Sequence, residues 1–326
     1  MPMGGFMSDS ALIEVKVDAL TRLPGNTVSL NLVAANGRAL PPFEAGAHID
    51  VVIEEGLTRQ YSLCGDPATT GVYRLGVLRD ADSRGGSAAL NERLQQGDTL
   101  RVSAPKNHFP LKASGQHSVL IGGGIGITPL ISMAHKLWQD GQSFELRYCF
   151  SDAADAAFLN ELNSAPFAKC VTDHQSRGDT PNKYDPKTEL PEAAEDIHIY
   201  VCGPSGFMDW IIEAALARGY SENQLHKEDF GAEVDLSGGT FEVEARASGV
   251  TVQVGEGQRI VEALTDAGID IEVSCEEGVC GTCLCDVLEG EPDHRDSFLT
   301  EDERQSNEMI MVCCSRARSA KLVLDV

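Results

Sequence analysis

Short runs in which apolar and polar residues alternate fill the first third of the chain. Strands are predicted at residues 12–17, 27–33, 48–53 and 72–78, which Gly, Pro and Asn turns separate. Ser87, a favourable N-cap residue, begins a short predicted helix that ends at Leu94. Several short strands at such spacing are typical of an antiparallel barrel or sandwich.

From Ser118 the pattern changes to an alternation of apolar strands and helices. Strands are predicted at residues 118–121, 144–150, 169–172 and 197–201, and helices at about 130–140, 154–162 and 205–218. This order is typical of a parallel sheet that binds a nucleotide at the carboxyl ends of its strands. Residues 180–195 are polar and contain prolines, so we expect them to lie on the surface.

The last quarter of the chain returns to short strands around one helix. The predicted elements are strands at residues 241–245 and 250–254, a helix at 260–267, and strands at 284–288 and 321–324. Before them, residues 230–239 read FGAEVDLSGG and are typical of a linker. The pattern therefore predicts domains at residues 8–111, 112–229 and 240–326, with the linker at 230–239.

Acidic residues outnumber basic ones, and the formal net charge is −24. Such a charge argues against nucleic acid and anionic membranes as partners. Residues 241–326 hold 19 of the 50 acidic and 7 of the 26 basic residues, and so carry half of the net charge. The excess is explained either by solubility alone or by an acidic docking face in the last domain.

Neither a membrane span nor a signal peptide is predicted. No apolar stretch approaches the ~20 residues that cross a bilayer, and the beginning MPMGGFMSDS has neither a basic start nor an apolar run. Together with free cysteines, this predicts a reducing, cytoplasmic location.

Three cysteines stand at C-x4-C-x2-C spacing: Cys275, Cys280 and Cys283. With a fourth thiol from Cys313 or Cys314, this is the ligand pattern of a plant-type [2Fe–2S] cluster. Gly278 and Gly281 permit the unusual dihedral angles of a loop that wraps closely around such a cluster.

The alternatives are a disulfide framework, a zinc site or unrelated buried thiols. Ten cysteines in 326 residues are few for a disulfide scaffold. Zinc sites usually pair two C-x2-C units, and the chain has one. The spacing therefore favours a cluster that moves one electron at a time, so another part of the chain must supply electrons.

A glycine loop follows the strand at 118–121 and leads into a helix. Its candidate coenzyme ligands are Gly122, Gly123, Gly124, Gly126, Thr128 and Pro129. Ile127 stands where the strict dinucleotide fingerprint G-x-G-x-x-G has its last glycine, so the ordinary Rossmann family is not assigned. The loop still offers backbone donors to a pyrophosphate. Asp152 is a candidate for a ribose hydroxyl, and no Arg or Lys cluster stands beside it, which favours NADH over NADPH.

A second candidate phosphate site lies in the first region. Gly85 and Gly86 precede the helix at Ser87, whose hydroxyl adds a donor. Arg59 adds charged donors, and Tyr61 offers a ring that can lie against a flat ring system.

The order of these three regions resembles the phthalate dioxygenase reductase family over about residues 11–326. The motifs that carry the resemblance are RQYSLCGDP, RGGS, PKNHFPL, GGGIGITP, YVCGPSGFM and SCEEGVCGTC with CCSRA. The resemblance implies an antiparallel β-barrel that binds FMN, an α/β parallel-sheet domain that binds NADH, and a β-grasp plant-type ferredoxin domain with one [2Fe–2S] cluster. It further implies a monomer that reduces a Rieske-type aromatic oxygenase or demethylase.

The resemblance also implies roles for single residues. FMN would contact Arg59, Tyr61, Ser62 and Leu63, with its phosphate at Gly85, Gly86 and Ser87. Thr128 would lie near the flavin and the nicotinamide, which Cys202, Gly203 and Pro204 border, and Phe230 would cover the flavin. For Cys202 the alternative is a small apolar residue that ends a strand, and for Phe230 a core residue between domains.

The fourth cluster ligand is predicted to be Cys313 rather than Cys314. Counted back from the SRA ending of the family motif, the ligand position is Cys313, and 29 residues separate it from Cys283. Neighbouring side chains on an extended segment point to opposite faces, so one of the two thiols reaches the irons. The histidines form no metal-binding pattern, and His48 is predicted to lie in a turn or at the surface.

These patterns predict an NADH-dependent reductase. The same cofactors would serve a reductase of a cytochrome P450 or another monooxygenase, which differs in its partner. A redox-sensing binding protein is a third hypothesis, but it would leave two cofactor domains without a use. Rapid NADH-dependent bleaching of a dye would separate an enzyme from a sensor.

Overall fold

The computed structural model describes residues 12–54, 57–79, 86–112, 117–178, 181–230, 234–273, 278–279 and 281–326. The predicted site residues Gly85, Cys275 and Cys280 lie outside the described residues. The chain divides into two compact units, Met1–Phe230 and Gly231–Val326.

The first half of the first unit is an antiparallel sheet. Its strands are β1 (Ile13–Leu23), β2 (Thr27–Ala34), β3 (His48–Glu54), β4 (Leu57–Ser62), β5 (Tyr73–Leu78) and β6 (Thr99–Val102), and helix α1 spans Gly86–Glu92. The strand order is β4-β3-β6-β1-β2-β5. A β-bridge between Leu63 and Leu75 joins the two edges, so the sheet closes into the predicted barrel around buried Val, Leu and Ile side chains.

The second half of the first unit is a parallel sheet with helices on both faces. Its elements are β7 (His117–Gly123), α2 (Ile127–Gln139), β8 (Ser143–Phe150), α3 (Leu159–Ser164), β9 (Val171–Gln175), α4 (Pro186–Glu189), β10 (Ile197–Cys202), α5 (Ser205–Ala217) and β11 (Leu225–Glu228). The strand order is β11-β10-β7-β8-β9. Consecutive strands are parallel, so their carboxyl ends share one edge, where nucleotides bind in such sheets.

The helix predicted over residues 154–162 is wrong. A short 3-10 turn at Ala153–Asp155 is followed by a separate helix, α3. Between them, Phe158 is fully buried, and its ring packs on the backbone of Gly76 in β5. Burying this ring against the barrel leaves residues 156–158 outside a regular helix.

Side chains join the barrel to the parallel sheet within the first unit. Arg74 donates two hydrogen bonds of 2.6 Å to the carboxylate of Glu161. The Gly46 N–H donates to the buried Ser132 hydroxyl at 3.0 Å. A planar Arg–carboxylate pair fixes orientation as well as distance, so the two halves share a defined interface.

The second unit is a mixed sheet. Its elements are β12 (Phe241–Ala245), β13 (Val250–Val254), α6 (Ile260–Asp266), β14 (Leu284–Glu289), β15 (Pro292–Asp293), α7 (Glu301–Ser306), β16 (Met309–Met311), β17 (Arg316–Ala317) and β18 (Lys321–Leu324). The main sheet has the order β13-β12-β18-β14-β16, and β15 pairs with β17. Strands β12 and β18, which are far apart in sequence, are parallel neighbours in this sheet.

The helices of both units are short. The longest, α2 and α5, have 13 residues each. Throughout the described ranges, no helix combines the length and the apolar character that a membrane crossing requires.

Candidate functional site

Two loops at the carboxyl edge of the parallel sheet pack backbone against backbone. One is the glycine loop between β7 and α2, and the other follows β10. A Cβ atom at Gly126 would lie 2.4 Å from the carbonyl oxygen of Cys202, and a Cβ atom at Gly203 would lie 3.0 Å from the Cα atom of Gly123. Only glycine fits such an approach, so the two loops lie directly against each other at this edge. Gly122 and Pro129 are buried and Gly124 is partly exposed, and contacts of these residues with coenzyme stay a prediction.

Thr128 lies at the start of α2 and faces the barrel. Its side chain is buried, and its hydroxyl donates to the carbonyl of Ile125 at 2.9 Å. A Cβ atom at Gly76 in β5 would lie 2.8 Å from the Thr128 methyl group. Thr128 therefore sits where the nucleotide half meets the barrel, and its contact with coenzyme stays a prediction.

A cavity of about 490 Å³ opens at the carboxyl ends of β7, β8 and β9. Its lining residues are Gly25, Thr27, Leu78, Gly123, Gly124, Ile125, Tyr148, Cys149, Phe150, Ser151, Asp155, Ala157, His174, Ser176, Lys183, Tyr184, Pro204, Phe207 and Trp210. Gly123, Gly124 and Pro204, three predicted coenzyme ligands, are among them. The volume and the aromatic walls suit a nucleotide better than a small metabolite.

Tyr184 is a cavity residue that the sequence pattern places on the surface. Its side chain is buried beside Trp210, with ring centroids 6.5 Å apart. Its hydroxyl has no hydrogen-bond partner among the described residues. The prediction that residues 180–195 are surface is therefore wrong at this position, where Tyr184 is buried in the wall of the cavity.

Asp152, the predicted ribose ligand, caps the 3-10 turn at Ala153–Asp155. Its carboxylate accepts from the Ala154 N–H at 3.0 Å. The cavity lining includes Asp155 instead, and Lys183 is the one lysine or arginine among the described lining residues. A contact between Asp152 and coenzyme therefore stays a prediction.

The predicted flavin motif forms β4 and the residue after it. Tyr61 packs against the barrel core, and burial raises the pKa of its phenol. Leu63 is fully buried, and its N–H donates to the carbonyl of Ala47 at 2.8 Å, so its side chain belongs to the barrel core. Arg59 extends to the start of α1, where a Cβ atom at Gly86 would lie 2.9 Å from its Cγ atom.

Ser62 ends β4 and reaches the parallel sheet. Its hydroxyl donates to Oε2 of Glu228 at 3.1 Å. Burial raises the pKa of the Glu228 carboxyl to about 8, although the Ser62 hydrogen bond favours the ionised form. Glu228 is therefore protonated at neutral pH and carries a proton beside the flavin motif.

Cys202 lies next to Glu228 because β10 and β11 are parallel neighbours in register at these residues. The Cys202 thiol is fully buried, and burial and the neighbouring acidic groups raise its pKa. It is therefore a neutral thiol under ordinary conditions rather than a reactive thiolate. Three segments therefore meet at Ser62, Glu228 and Cys202. They are the predicted flavin-binding residues of β4, strand β11, and the end of β10, where the nicotinamide is predicted to bind.

Sequence reasoning missed Glu228. It belongs to LHKEDF, where alternation is too weak to predict β11. Its position in the sequence could have indicated a role, because the resemblance places Phe230 on the flavin and Glu228 stands two residues before it. The Phe230 side chain is 42% exposed, so its surface is accessible to another group.

His48 corrects another prediction. It lies in β3 with a 5% exposed side chain rather than in a turn or at the surface. Burial lowers its pKa to about 4, so the imidazole is neutral. His48 packs beside His108, with ring centroids 5.3 Å apart.

In the second unit, Cys283 and Cys313 come together. Both thiols are buried, and a hydrogen bond to Cys313, together with burial, raises the pKa of Cys283. Two adjacent thiolates in an apolar core need positive charge, which ferric ions supply. The donor set present therefore fits an iron–sulfur cluster.

The segment with Cys313 and Cys314 is a turn and not the extended strand that the sequence argument assumes. The Cys314 thiol is directed to the carbonyl of Met311 at 3.7 Å. A Cβ atom at Gly278 would lie 2.4 Å from Cys314 Sγ, and one at Gly281 would lie 2.4 Å from the Phe298 ring. Both glycines have positive φ angles, +76° and +78°, as the cluster loop was expected to require.

Two protein-family models match the chain. The oxidoreductase NAD-binding domain matches residues 120–212, and the 2Fe-2S iron-sulfur cluster binding domain matches residues 243–318. They confirm that the chain contains a nucleotide-binding domain and a [2Fe-2S] domain.

Full-length similarities agree with this result. Vanillate O-demethylase oxidoreductase of Pseudomonas sp. (strain HR199 / DSM 7063) is 44% identical over 317 residues, which are 97% of this chain and 100% of that protein. The solved structure of phthalate dioxygenase reductase, described as a modular structure for electron transfer from pyridine nucleotides to [2Fe-2S], has a TM-score of 0.78 and 36% identity. That match covers 97% of this chain and 98% of the other.

A third similarity is to an intact type IV self-sufficient cytochrome P450 monooxygenase. Its TM-score is 0.81 at 37% identity, and the match covers 97% of this chain but 41% of that chain. The same arrangement of regions therefore occurs both as a separate chain and as part of a longer oxygenase.

Proposed function

Because the chain belongs to the phthalate dioxygenase reductase family, we propose that it is the reductase component of an oxygenase system and carries electrons from NADH through FMN and a [2Fe–2S] cluster to a Rieske-type oxygenase. The contact between Ser62 and Glu228 carries the proposal. It joins the flavin motif to the strand beside Cys202, at the edge that also bears the nucleotide cavity. A hydride donor and a flat acceptor can meet at such a junction.

FMN is proposed to bind along β4 and the start of α1. Arg59 would hold the phosphate together with Gly85, Gly86 and Ser87, and the close approach of Arg59 to Gly86 supports this assignment. The isoalloxazine would take up hydride and release electrons singly, which is the chemistry of the cofactor. Cofactor released by heat should run as FMN, and an FAD peak would contradict the assignment.

NADH is proposed to bind in the cavity at the carboxyl edge of the parallel sheet. The backbone of the glycine loop and of Gly203 would face the pyrophosphate and nicotinamide, and Tyr184 and Trp210 would line the adenosine end. A single lysine, Lys183, gives the cavity little positive charge with which to bind the 2′-phosphate of NADPH. We expect kcat/KM to favour NADH over NADPH by at least about tenfold, roughly 1.4 kcal/mol.

Glu228 and Cys202 would act on this junction without becoming ionised. A protonated carboxyl with a pKa of about 8 and a neutral thiol add no negative charge where hydride, itself anionic, is transferred. Ser62 holds the Glu228 carboxyl in one orientation. Thr128 would fix the spacing between the two halves through its contact with Gly76.

The cluster is proposed to be held by Cys275, Cys280, Cys283 and Cys313. The contact between the Cys283 and Cys313 thiols supports the last two ligands. Cys314 would stay outside the ligand set and pack against Gly278.

The partner is proposed to be a separate, basic protein surface on an oxygenase that acts on aromatic compounds. The acidic excess in residues 241–326 supports docking by charge. We further propose that the protein is a cytoplasmic monomer without nucleic-acid or membrane partners.

A reconstitution tests the function as a whole. Purified reductase, NADH and a Rieske oxygenase encoded in the same genome should give NADH oxidation coupled to product formation. NADH oxidation without electron delivery to any Rieske protein would contradict the proposal.

A cytochrome P450 is the second candidate partner, and the similarity to a self-sufficient P450 monooxygenase favours it. Parallel assays with a soluble P450 and a Rieske oxygenase would decide between them. Faster reduction of the P450 haem than of the Rieske cluster, at equal protein concentration, would support the second candidate.

A further inference from the structure

The cavity at the carboxyl edge of the parallel sheet has a wall that comes from the barrel. Its lining residues Gly25, Thr27 and Leu78 belong to the turn between β1 and β2, the start of β2 and the end of β5. Thr27 and Leu78 are directly paired in the register of β2 and β5, so this wall is one end of the barrel sheet. The other described lining residues come from residues 123–210. The cavity therefore lies between the two halves of the first unit.

The turn between β1 and β2 packs directly against the nucleotide half. Gly25 and Asn26 both have positive φ angles, +64° and +53°. A Cβ atom at Gly25 would lie 2.6 Å from the carbonyl oxygen of Asp155, which also lines the cavity. Thr27 is 3% exposed, and its hydroxyl donates to the carbonyl of Gly25 at 3.3 Å. The turn is therefore a fixed part of the cavity wall rather than the free end of a hairpin.

Asn91 in α1 holds this wall in place. Its side chain is 5% exposed, and Nδ2 donates to the carbonyl of Asn26 at 2.8 Å and to that of Val77 at 3.4 Å. Its Oδ1 accepts from Nη1 of Arg22 at 2.7 Å. A buried amide that uses both its donors and its acceptor fixes the groups it contacts. Asn91 therefore ties the turn to the residue before Leu78.

Leu78 gives the wall an exposed apolar side chain. It is 37% exposed, whereas Leu75 and Val77 in the same strand are fully buried. Its place in β5 indicates which part of a coenzyme it can reach. Leu75 forms a β-bridge with Leu63 of the predicted flavin motif, and Leu78 follows Leu75 by three residues of extended strand, a distance of about 10 Å. Leu78 is therefore better placed for the adenosine-bearing half of NADH than for the nicotinamide, which must meet the flavin.

We propose that the barrel completes the coenzyme site: Leu78 contacts the adenosine-bearing half of NADH, and Asn91 is a positioning residue that holds the Leu78 wall. This inference rests on the proposed function, in which NADH occupies the cavity. An apolar contact far from the reacting ring is made equally before and during hydride transfer. The wall should therefore set the affinity for NADH and leave the rate of hydride transfer unchanged.

Leu78→Ala is the first test. Anaerobic stopped-flow spectroscopy of the holoenzyme at increasing NADH concentration, with FMN in excess, gives the Kd for NADH and the limiting rate of flavin reduction separately. The Kd should rise at least about fourfold, because each methylene group that loses its apolar contact weakens binding by about that factor. The limiting rate should stay as in the wild type. An unchanged Kd, or a fall in the limiting rate alone, overturns the proposal.

Leu216→Ala is the matched control. Leu216 is 42% exposed and belongs to the same unit, but it lies in α5 and is not a lining residue of the cavity. Its replacement removes a similar apolar surface and should leave both the Kd and the limiting rate as in the wild type. A rise in Kd as large as that of Leu78→Ala would show a general effect of losing an exposed leucine and would overturn the proposal.

Reduced nicotinamide mononucleotide locates the contact on the coenzyme. This compound keeps the reacting ring of NADH but lacks its adenosine half. Leu78→Ala should lower the second-order rate constant of flavin reduction at least about fourfold with NADH, but less than about twofold with the mononucleotide. An equal loss with both compounds would place Leu78 at the nicotinamide or show damage to the flavin site, and either result contradicts the proposed contact.

Asn91→Ala tests the positioning role. It should raise the Kd for NADH without changing the limiting rate, and Leu78→Ala should have a smaller effect in this background than in the wild type. Glu92→Gln is the control, because Glu92 is the next residue of α1 and pairs with exposed Arg79 instead. Additive effects of the Asn91 and Leu78 replacements would overturn the role of Asn91.

Arg22→Ala is the milder second variant if Asn91→Ala does not fold. Arg22 is exposed, and its replacement removes only the donor to the Asn91 amide oxygen. It should raise the Kd for NADH less than Asn91→Ala and again leave the limiting rate unchanged, and an unchanged Kd would overturn the role of Asn91. Absence of flavin reduction by NADH in the wild type would contradict the proposed function instead.

Discussion

Replacing Glu228 by Gln should change how the stability of the first unit depends on pH. Burial raises the pKa of the Glu228 carboxyl from 4.5 to about 8. Between these two values the folded state keeps a proton that the unfolded chain has released. Raising the pH through this window therefore favours unfolding, at about 1.4 kcal/mol per pH unit for one such group.

The size of the effect follows from this slope. From pH 6 to pH 9, the wild type should lose about 2–3 kcal/mol more stability than Glu228→Gln, because most of the loss falls below pH 8 and the amide does not titrate. Ser62→Ala should extend the loss to higher pH, because the Ser62 hydrogen bond favours the ionised carboxyl.

Urea unfolding followed by tryptophan fluorescence measures this difference. The chain has two tryptophans, Trp138 and Trp210, and both belong to the first unit. The signal therefore reports on the unit that contains Glu228 and not on the cluster unit. Free energies of unfolding at four or five pH values, with saturating FMN throughout, give the slope for each variant.

Parallel slopes for the two proteins would contradict a protonated Glu228. If the wild type and Glu228→Gln lose stability equally between pH 6 and pH 9, the Glu228 carboxyl is not held protonated by burial. A wild-type slope that is shallower than that of the variant would mean that the folded state favours the ionised form.

Three further predictions concern the glycine loop, the cluster and the partner. Gly126→Ala should lower kcat/KM for NADH at least tenfold, since its Cβ atom would collide with the Cys202 carbonyl; Gly206→Ala, which meets nothing within 4 Å, is the control. Cys313→Ser should abolish the visible spectrum of the cluster but leave reduction of the flavin by NADH intact, whereas Cys314→Ser should keep that spectrum. The opposite result would make Cys314, and not Cys313, the fourth ligand. Oxygenase turnover should fall as the salt concentration is raised, while dye reduction changes less. If oxygenase turnover does not depend on salt, the acidic excess serves solubility and not docking.

Strong local alternation predicts strands well in this chain. The pattern predicts strands at 241–245 and 250–254, and β12 and β13 occupy these residues. It misses β11 because Leu225–Glu228 has four residues, of which two are charged, at the edge of the sheet. An edge strand pairs on one side and needs fewer apolar residues, so its pattern is weak.

Glycine positions in the site were also predictable, since close backbone approach demands them. The environment of Glu228 was not, because its partner Ser62 lies 166 residues away in sequence. The same limit applies to His48 and Tyr184, which polar sequence surroundings place at the surface and tertiary packing buries. Burial of a polar side chain by distant segments leaves no local signal.

The pairing of β12 with β18 has a consequence for biosynthesis. These strands are parallel neighbours inside the second sheet, yet they open and close the fold of the second unit. The sheet cannot be completed until residues 321–324 have left the ribosome, by which time all of residues 1–230 have been made. Contacts so distant in sequence form slowly, and domains generally fold in the order of synthesis. The first unit should therefore fold first. Iron should be inserted into the second unit only after the chain has been translated through β18.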